Sequence, residues 1–81
     1  MSRRTVKITE RKLGREKADG LHWSDGLIEV DPRQPPKDYL GTLVHEALHE
    51  AYPDMEEDDI RRGEAILTEV LWRMNYRRVH Q

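Results

Sequence analysis

From Leu40 to Leu71 the chain reads LGTLVHEALHEAYPDMEEDDIRRGEAILTEVL, and this stretch decides the fold. Its first half places Leu40, Leu43, Val44, Ala47, Leu48 and Ala51 at spacings of three and four, which puts them on one apolar helix face. That helix is expected to start near Pro36 or Lys37, where proline suits the first turn, and to run to about Tyr52. Pro53 ends it, because a proline ring cannot continue the helical hydrogen-bond ladder. Asp54 is then a candidate N-cap, with Glu57 three residues on as its capping-box partner. A second stripe of Ile60, Leu67, Val70, Leu71 and Met74 predicts a second helix to about Met74. A connection this short makes the two helices antiparallel neighbours.

Upstream the period changes. Between Arg3 and Leu13, Val6 and Ile8 alternate with Lys7 and Thr9, the pattern of a half-buried strand. Gly14 to Gly20 (GREKADG) reads as a polar turn or loop. Leu21 to Asp31 (LHWSDGLIEVD) reads as a hairpin, with Asp25-Gly26 as its tight-turn dipeptide. Pro32, Pro35 and Pro36 lack the amide donor a strand needs, so the sheet stops there. The expected fold class is α+β: a small antiparallel sheet of about three strands packed on two antiparallel helices. At 81 residues, one domain spanning 1–81 is the expectation.

Composition narrows the function classes. Charged residues make up 37% and apolar residues 36%, and the apolar ones recur with period, which argues for a folded chain rather than a disordered one. Fourteen Lys and Arg face 16 Asp and Glu, a formal net charge of −2, which argues against nucleic acid as a partner. With no cysteine, disulfide scaffolds and thiolate metal sites are excluded. No signal peptide or long apolar run is visible, so a cytoplasmic location without membrane contact is expected. So small a core leaves room for a bound metal or a homo-oligomer to add stability.

The chemistry lies in HEALH. Residues four apart on a helix lie one turn apart on the same face, so His45 and His49 can turn their imidazoles to one ion. Glu46 is about 100° further round. That offset suits a group beside the ion, able to take a proton from a metal-bound water. Catalytic zinc wants a third protein ligand and keeps its fourth position for water. No third histidine follows nearby; the only later one is His80. The third ligand is then expected to be a carboxylate on the second helix. Glu64 interrupts the apolar stripe next to Gly63, and a charge facing a core is costly unless paired or metal-bound. Glu57 also lies on the stripe but has a ready explanation as a cap. The reading favours Glu64 over Glu57.

HEALH (His45–His49) followed on the next helix by GEAILTE (Gly63–Glu69) resembles the gluzincin metallopeptidases, whose HEXXH is completed by a glutamate on the following helix. The resemblance covers roughly Leu21 to Tyr76, and it extends to minimal gluzincins and small phage- or prophage-encoded HEXXH proteins. It implies a minimal zincin-like core, a zinc ion held by His45, His49 and Glu64, and Glu46 as general base for hydrolysis of a peptide or protein substrate. In such peptidases an acid supporting a zinc histidine follows the second motif; that position is Thr68 here, and Glu69 is one residue late. The resemblance also implies a strand beside the active helix that pairs with extended substrate, for which Leu27 to Asp31 (LIEVD) is the candidate. The alternative function is a metal-stabilised binding module without turnover, or a phage accessory protein.

Other residues invite lesser expectations. His22 can serve as a fourth ligand or touch substrate, though a lone strand histidine is more often a surface residue. Tyr39, Tyr52 and Tyr76 are each candidates to stabilise an oxyanion, and position alone does not choose between them. Trp23 and Trp72 read as packing residues, and Asn75 to Arg78 (NYRR) as part of a solvated basic tail.

Overall fold

In the computed structural model, residues 5–16 and 18–77 are described. Three strands precede two helices: β1 (Lys7–Glu10), β2 (Gly20–His22), β3 (Leu27–Val30), α1 (Pro36–Ala51) and α2 (Glu57–Arg73). The hairpin forms where the Asp25-Gly26 dipeptide predicts it. Gly26 N–H donates to the Trp23 carbonyl at 3.0 Å, and Trp23 N–H to the Leu27 carbonyl at 2.8 Å. β2 pairs antiparallel with β3, as expected. β1 pairs with β3 in parallel, Ile8 opposite Ile28, so the sheet is mixed with order β1-β3-β2. The reason lies in the 11–19 segment. It carries the chain from one edge of β3 to the other before the hairpin begins, and a parallel pair needs such a crossover. Leu13, wholly buried, anchors the crossing, and its amide donates to Asp31 Oδ2 at 2.9 Å. The α+β class is as expected: a small sheet packed on two helices.

β3 is the centre of the fold. Ile28 and Val30 face α1, where Tyr39 and Leu43 cover them. Tyr39 is buried, and its hydroxyl donates to Glu10 Oε2 at 2.5 Å. Glu29, on the other face of β3, accepts from Arg11 Nε at 2.6 Å and from Trp23 Nε1 at 2.7 Å. Trp23 is thus half-exposed and works through its N–H rather than as core packing. Among the described elements, α2 docks only on α1. Gly63 permits this close approach, since a Cβ there would sit 3.0 Å from Leu48 Cδ1. Ile60 is the one fully buried residue of the α2 stripe. Leu67, Val70 and Met74 remain 42, 54 and 66% exposed, because the stripe is wider than the surface α1 covers.

α2 begins later than its expected cap. Its N-cap is Glu56, with no side-chain hydrogen bond, and Glu57 is the first helical residue. Glu57 is therefore not held as a capping-box partner. Among the described residues, no helix is long and apolar enough to cross a membrane.

Candidate metal centre

The antiparallel helix pair turns one edge of α1 toward the start of α2. His45 and His49, one turn apart on α1, bring their Nε2 atoms to 3.3 Å. Glu57 reaches across from α2. Its Oε1 lies 3.0 Å from His45 Nε2 and its Oε2 lies 3.2 Å from His49 Nε2. These three side chains form a cluster whose ligand atoms all lie within 4.8 Å of one another. Glu64 does not join it. Its Oε1 sits 2.8 Å from His45 Nδ1, on the opposite side of the imidazole ring.

This geometry tests whether a metal ion fits. A carboxylate oxygen only accepts, so His45 Nδ1–H donates its hydrogen bond to Glu64. A neutral His45 then presents an Nε2 lone pair to a Glu57 oxygen and to His49 Nε2. With His49 in the tautomer that also presents an Nε2 lone pair, three acceptors converge and need a proton or a cation between them. A tetrahedral ion with bonds of about 2.0–2.1 Å separates its ligands by roughly 3.3 Å. The Nε2–Nε2 separation of 3.3 Å matches that spacing. The 3.0 and 3.2 Å contacts run to different oxygens of Glu57, and with one ligand atom from each residue the three lie within 4.8 Å of one another. Two imidazole nitrogens and a carboxylate are also a donor set that zinc accepts, and the carboxylate–imidazole contact behind His45 is the usual support of a metal-ligating histidine. The residues fit a metal.

Glu46 lies beside the cluster, not in it. It is only 9% exposed and accepts no hydrogen bond among the described residues. Burial pushes its carboxyl above the usual carboxylate range, and the charges of His45, His49 and His22 pull the other way. Gly20 on β2 makes room for it. A Cβ there would lie 3.2 Å from Glu46 Oε2 and only 2.5 Å from Thr42 Cγ2. A hollow of about 250 Å³, lined by Asp19, Gly20, Thr42, His45, Glu46 and Glu64, opens at this carboxyl.

His22, at the end of β2, stacks beside His49 with ring centroids 6.3 Å apart. Its Nε2 is 2.7 Å from Glu50 Oε1, so a carboxylate already holds that nitrogen. Glu50 is a site residue that sequence reasoning missed, although it follows His49 directly. The β3 segment expected to receive an extended substrate is the central strand, paired on both sides, and has no free edge to offer. β2 is the edge strand next to the cluster. Of the three tyrosines, Tyr39 is committed to Glu10, while Tyr52 and Tyr76 are more than half exposed. Arg77 stacks over the Trp72 ring at 3.5 Å. His80 and the end of the basic tail lie outside the described residues. No protein-family model, curated protein or solved structure matches this chain, so the site stands on its own geometry.

Proposed function

We propose that the chain is a zinc-dependent hydrolase of peptide bonds, with His45, His49 and Glu57 as the metal ligands and Glu46 as the general base. The observation that carries this reading is Glu46: a buried carboxyl with no hydrogen-bond partner among the described residues, at the mouth of a hollow beside a His/His/Glu cluster. Zinc bound at the three ligands supplies a Lewis acid for the scissile carbonyl and acidifies the water it holds. The chain's own groups do the rest. Glu64 fixes the ring of His45 through Nδ1–H and sets its tautomer. This role replaces the expectation that Glu64 is itself a ligand. Glu46 takes a proton from the nucleophilic water and hands it to the departing amine. A carboxyl shifted upward by burial suits both halves of that transfer. His22, held by Glu50, closes the β2 side of the site.

The second reading is a metal staple without turnover. It has its own support, since the cluster joins α1 to α2 and only Ile60 of α2's apolar stripe is fully buried. One paired experiment separates the two. Zinc content and cleavage of a mixed peptide library are measured for wild type and Glu46→Gln. The hydrolase reading expects equal zinc in both and cleavage reduced about 10²–10⁴-fold in the variant. Zinc in both with no cleavage by wild type favours the staple. Loss of zinc from Glu46→Gln makes Glu46 a ligand and overturns its role as base.

A further inference from the structure

The face of α2 turned from the histidines carries an apolar row. Ile66, Val70 and Met74 follow one another at steps of four, which stacks them on one side of the helix, and Leu67 lies beside them. The first three are more than half exposed and Leu67 is 42% exposed. A contiguous apolar row of this kind, rimmed by charges, is the mark of an interaction surface. Among the described elements, α1 alone packs on α2, and it does so on the other side, through Ile60 and the histidine flank.

The charges along the row say what covers it. Asp59, Ile66 and Arg73 recur every seven residues, which returns to nearly the same face, and Arg62 and Glu69 line one edge of that face. From the N-terminal end the order is Asp59, Arg62, Ile66, Glu69, Arg73, so the signs run minus, plus, apolar, minus, plus. Laid antiparallel on itself about Ile66, this series is complementary throughout: Asp59 meets Arg73 of a second copy, and Arg62 falls beside its Glu69. Laid parallel, every charge meets its own kind. Asp59 and Arg62 are exposed and make no ion pair among the described residues. Arg73 and Glu69 pair with each other at 2.8 Å and Glu69 also meets Lys37, but their side chains stay 76 and 43% exposed and open to a neighbour.

We propose that this face binds a second copy of the chain, α2 against α2 in antiparallel order, with Ile66 at the two-fold axis. The contact is isologous, so each charge pair occurs twice. With 17 residues, α2 is about 26 Å long. A strip one helix wide then buries on the order of 300–400 Å² per copy, about half of what a stable complex buries. The dimer is accordingly weak, with a Kd of about 10 μM to 1 mM, and the face is bare in the dilute protein of a denaturation experiment. It does not depend on the hydrolase reading, whose residues lie on the other flank. The test is sedimentation equilibrium of zinc-loaded full-length protein from about 20 μM to 1 mM, which should show a monomer–dimer equilibrium. Ile66→Glu sets two carboxylates against each other at the axis and should weaken the dimer at least about tenfold, with circular dichroism unchanged. Orientation is read by disulfide crosslinking at the same concentrations, in a chain that has no cysteine of its own. Ile66→Cys should crosslink to itself. Asp59→Cys should crosslink to Arg73→Cys in a mixture but not to itself, since antiparallel packing holds the two copies of position 59 about 21 Å apart. A wild type that stays monomeric at 1 mM, an Ile66→Glu protein that dimerises as wild type does, or Asp59→Cys crosslinking to itself faster than to Arg73→Cys overturns the proposal. Should Ile66→Glu lose its helical signal, the crosslinking pattern decides alone.

Discussion

The two flanks of the helix pair satisfy their side chains in different ways. On the histidine flank, His45 meets Glu57 and Glu64, His49 meets Glu57, and Lys37 meets Glu69. On the side of α2 turned from the histidines, Ile66, Leu67, Val70 and Met74 are 42–66% exposed. The polar flank is defined by directional contacts between the helices, and the apolar flank has more surface than the fold can cover. The difference teaches where the stability of this chain resides. Among the described residues its largest fully buried side chains are Leu13, Ile28, Val30 and Ile60, and of these only Ile60 belongs to α2. α2 is therefore held by one deep anchor and by its polar contacts to α1, which a metal would strengthen.

The sharpest way to break the comparison is to remove that anchor. Ile60→Ala should cost about 2–5 kcal/mol, the usual range for a large-to-small change at a fully buried site. Chemical denaturation checks it, and a cost under about 0.5 kcal/mol would mean α2 is held elsewhere. The metal comes next. Zinc at a hundred times its dissociation constant stabilises by about 2.7 kcal/mol, so chelation should lower the melting temperature by roughly 10–20 °C in a domain of this size. The shift should be absent in His45→Ala, as calorimetry with and without chelator can show. The smallest effect belongs to the apolar flank. Val70→Ala should change stability by about 0.5 kcal/mol or less, as exposed positions do. A cost near that of Ile60→Ala would show that this flank is covered in solution.

Local signals made most of the fold legible. The Asp25-Gly26 turn, the Pro53 break and the two stripes each act within a few residues, and each marks an element where the structure has one. The direction of β1 was not legible, because pairing across a sheet depends on where the crossover lands. At the site, His45, Glu46 and His49 follow from helical geometry alone. The cluster takes in Glu57, where the sequence favours Glu64. A carboxylate on a core-facing stripe is costly unless paired or metal-bound, and at Glu64 the partner is His45 Nδ1. A usable signal was present. Counting four residues outward each way from the Pro53 break, antiparallel helices set His49 opposite Glu57.

The central claim is a metal centre of His45, His49 and Glu57 with Glu64 behind it. A competitive zinc titration against a chromophoric chelator tests it most directly, run on wild type, Glu57→Ala and Glu64→Ala. The account predicts one zinc per chain in wild type. It predicts a loss of about 10–100-fold in affinity for Glu64→Ala, the usual effect of removing an outer partner of a ligand, and a larger loss for Glu57→Ala. A wild-type protein that takes up no zinc, or a Glu64→Ala protein that loses more affinity than Glu57→Ala, would contradict it.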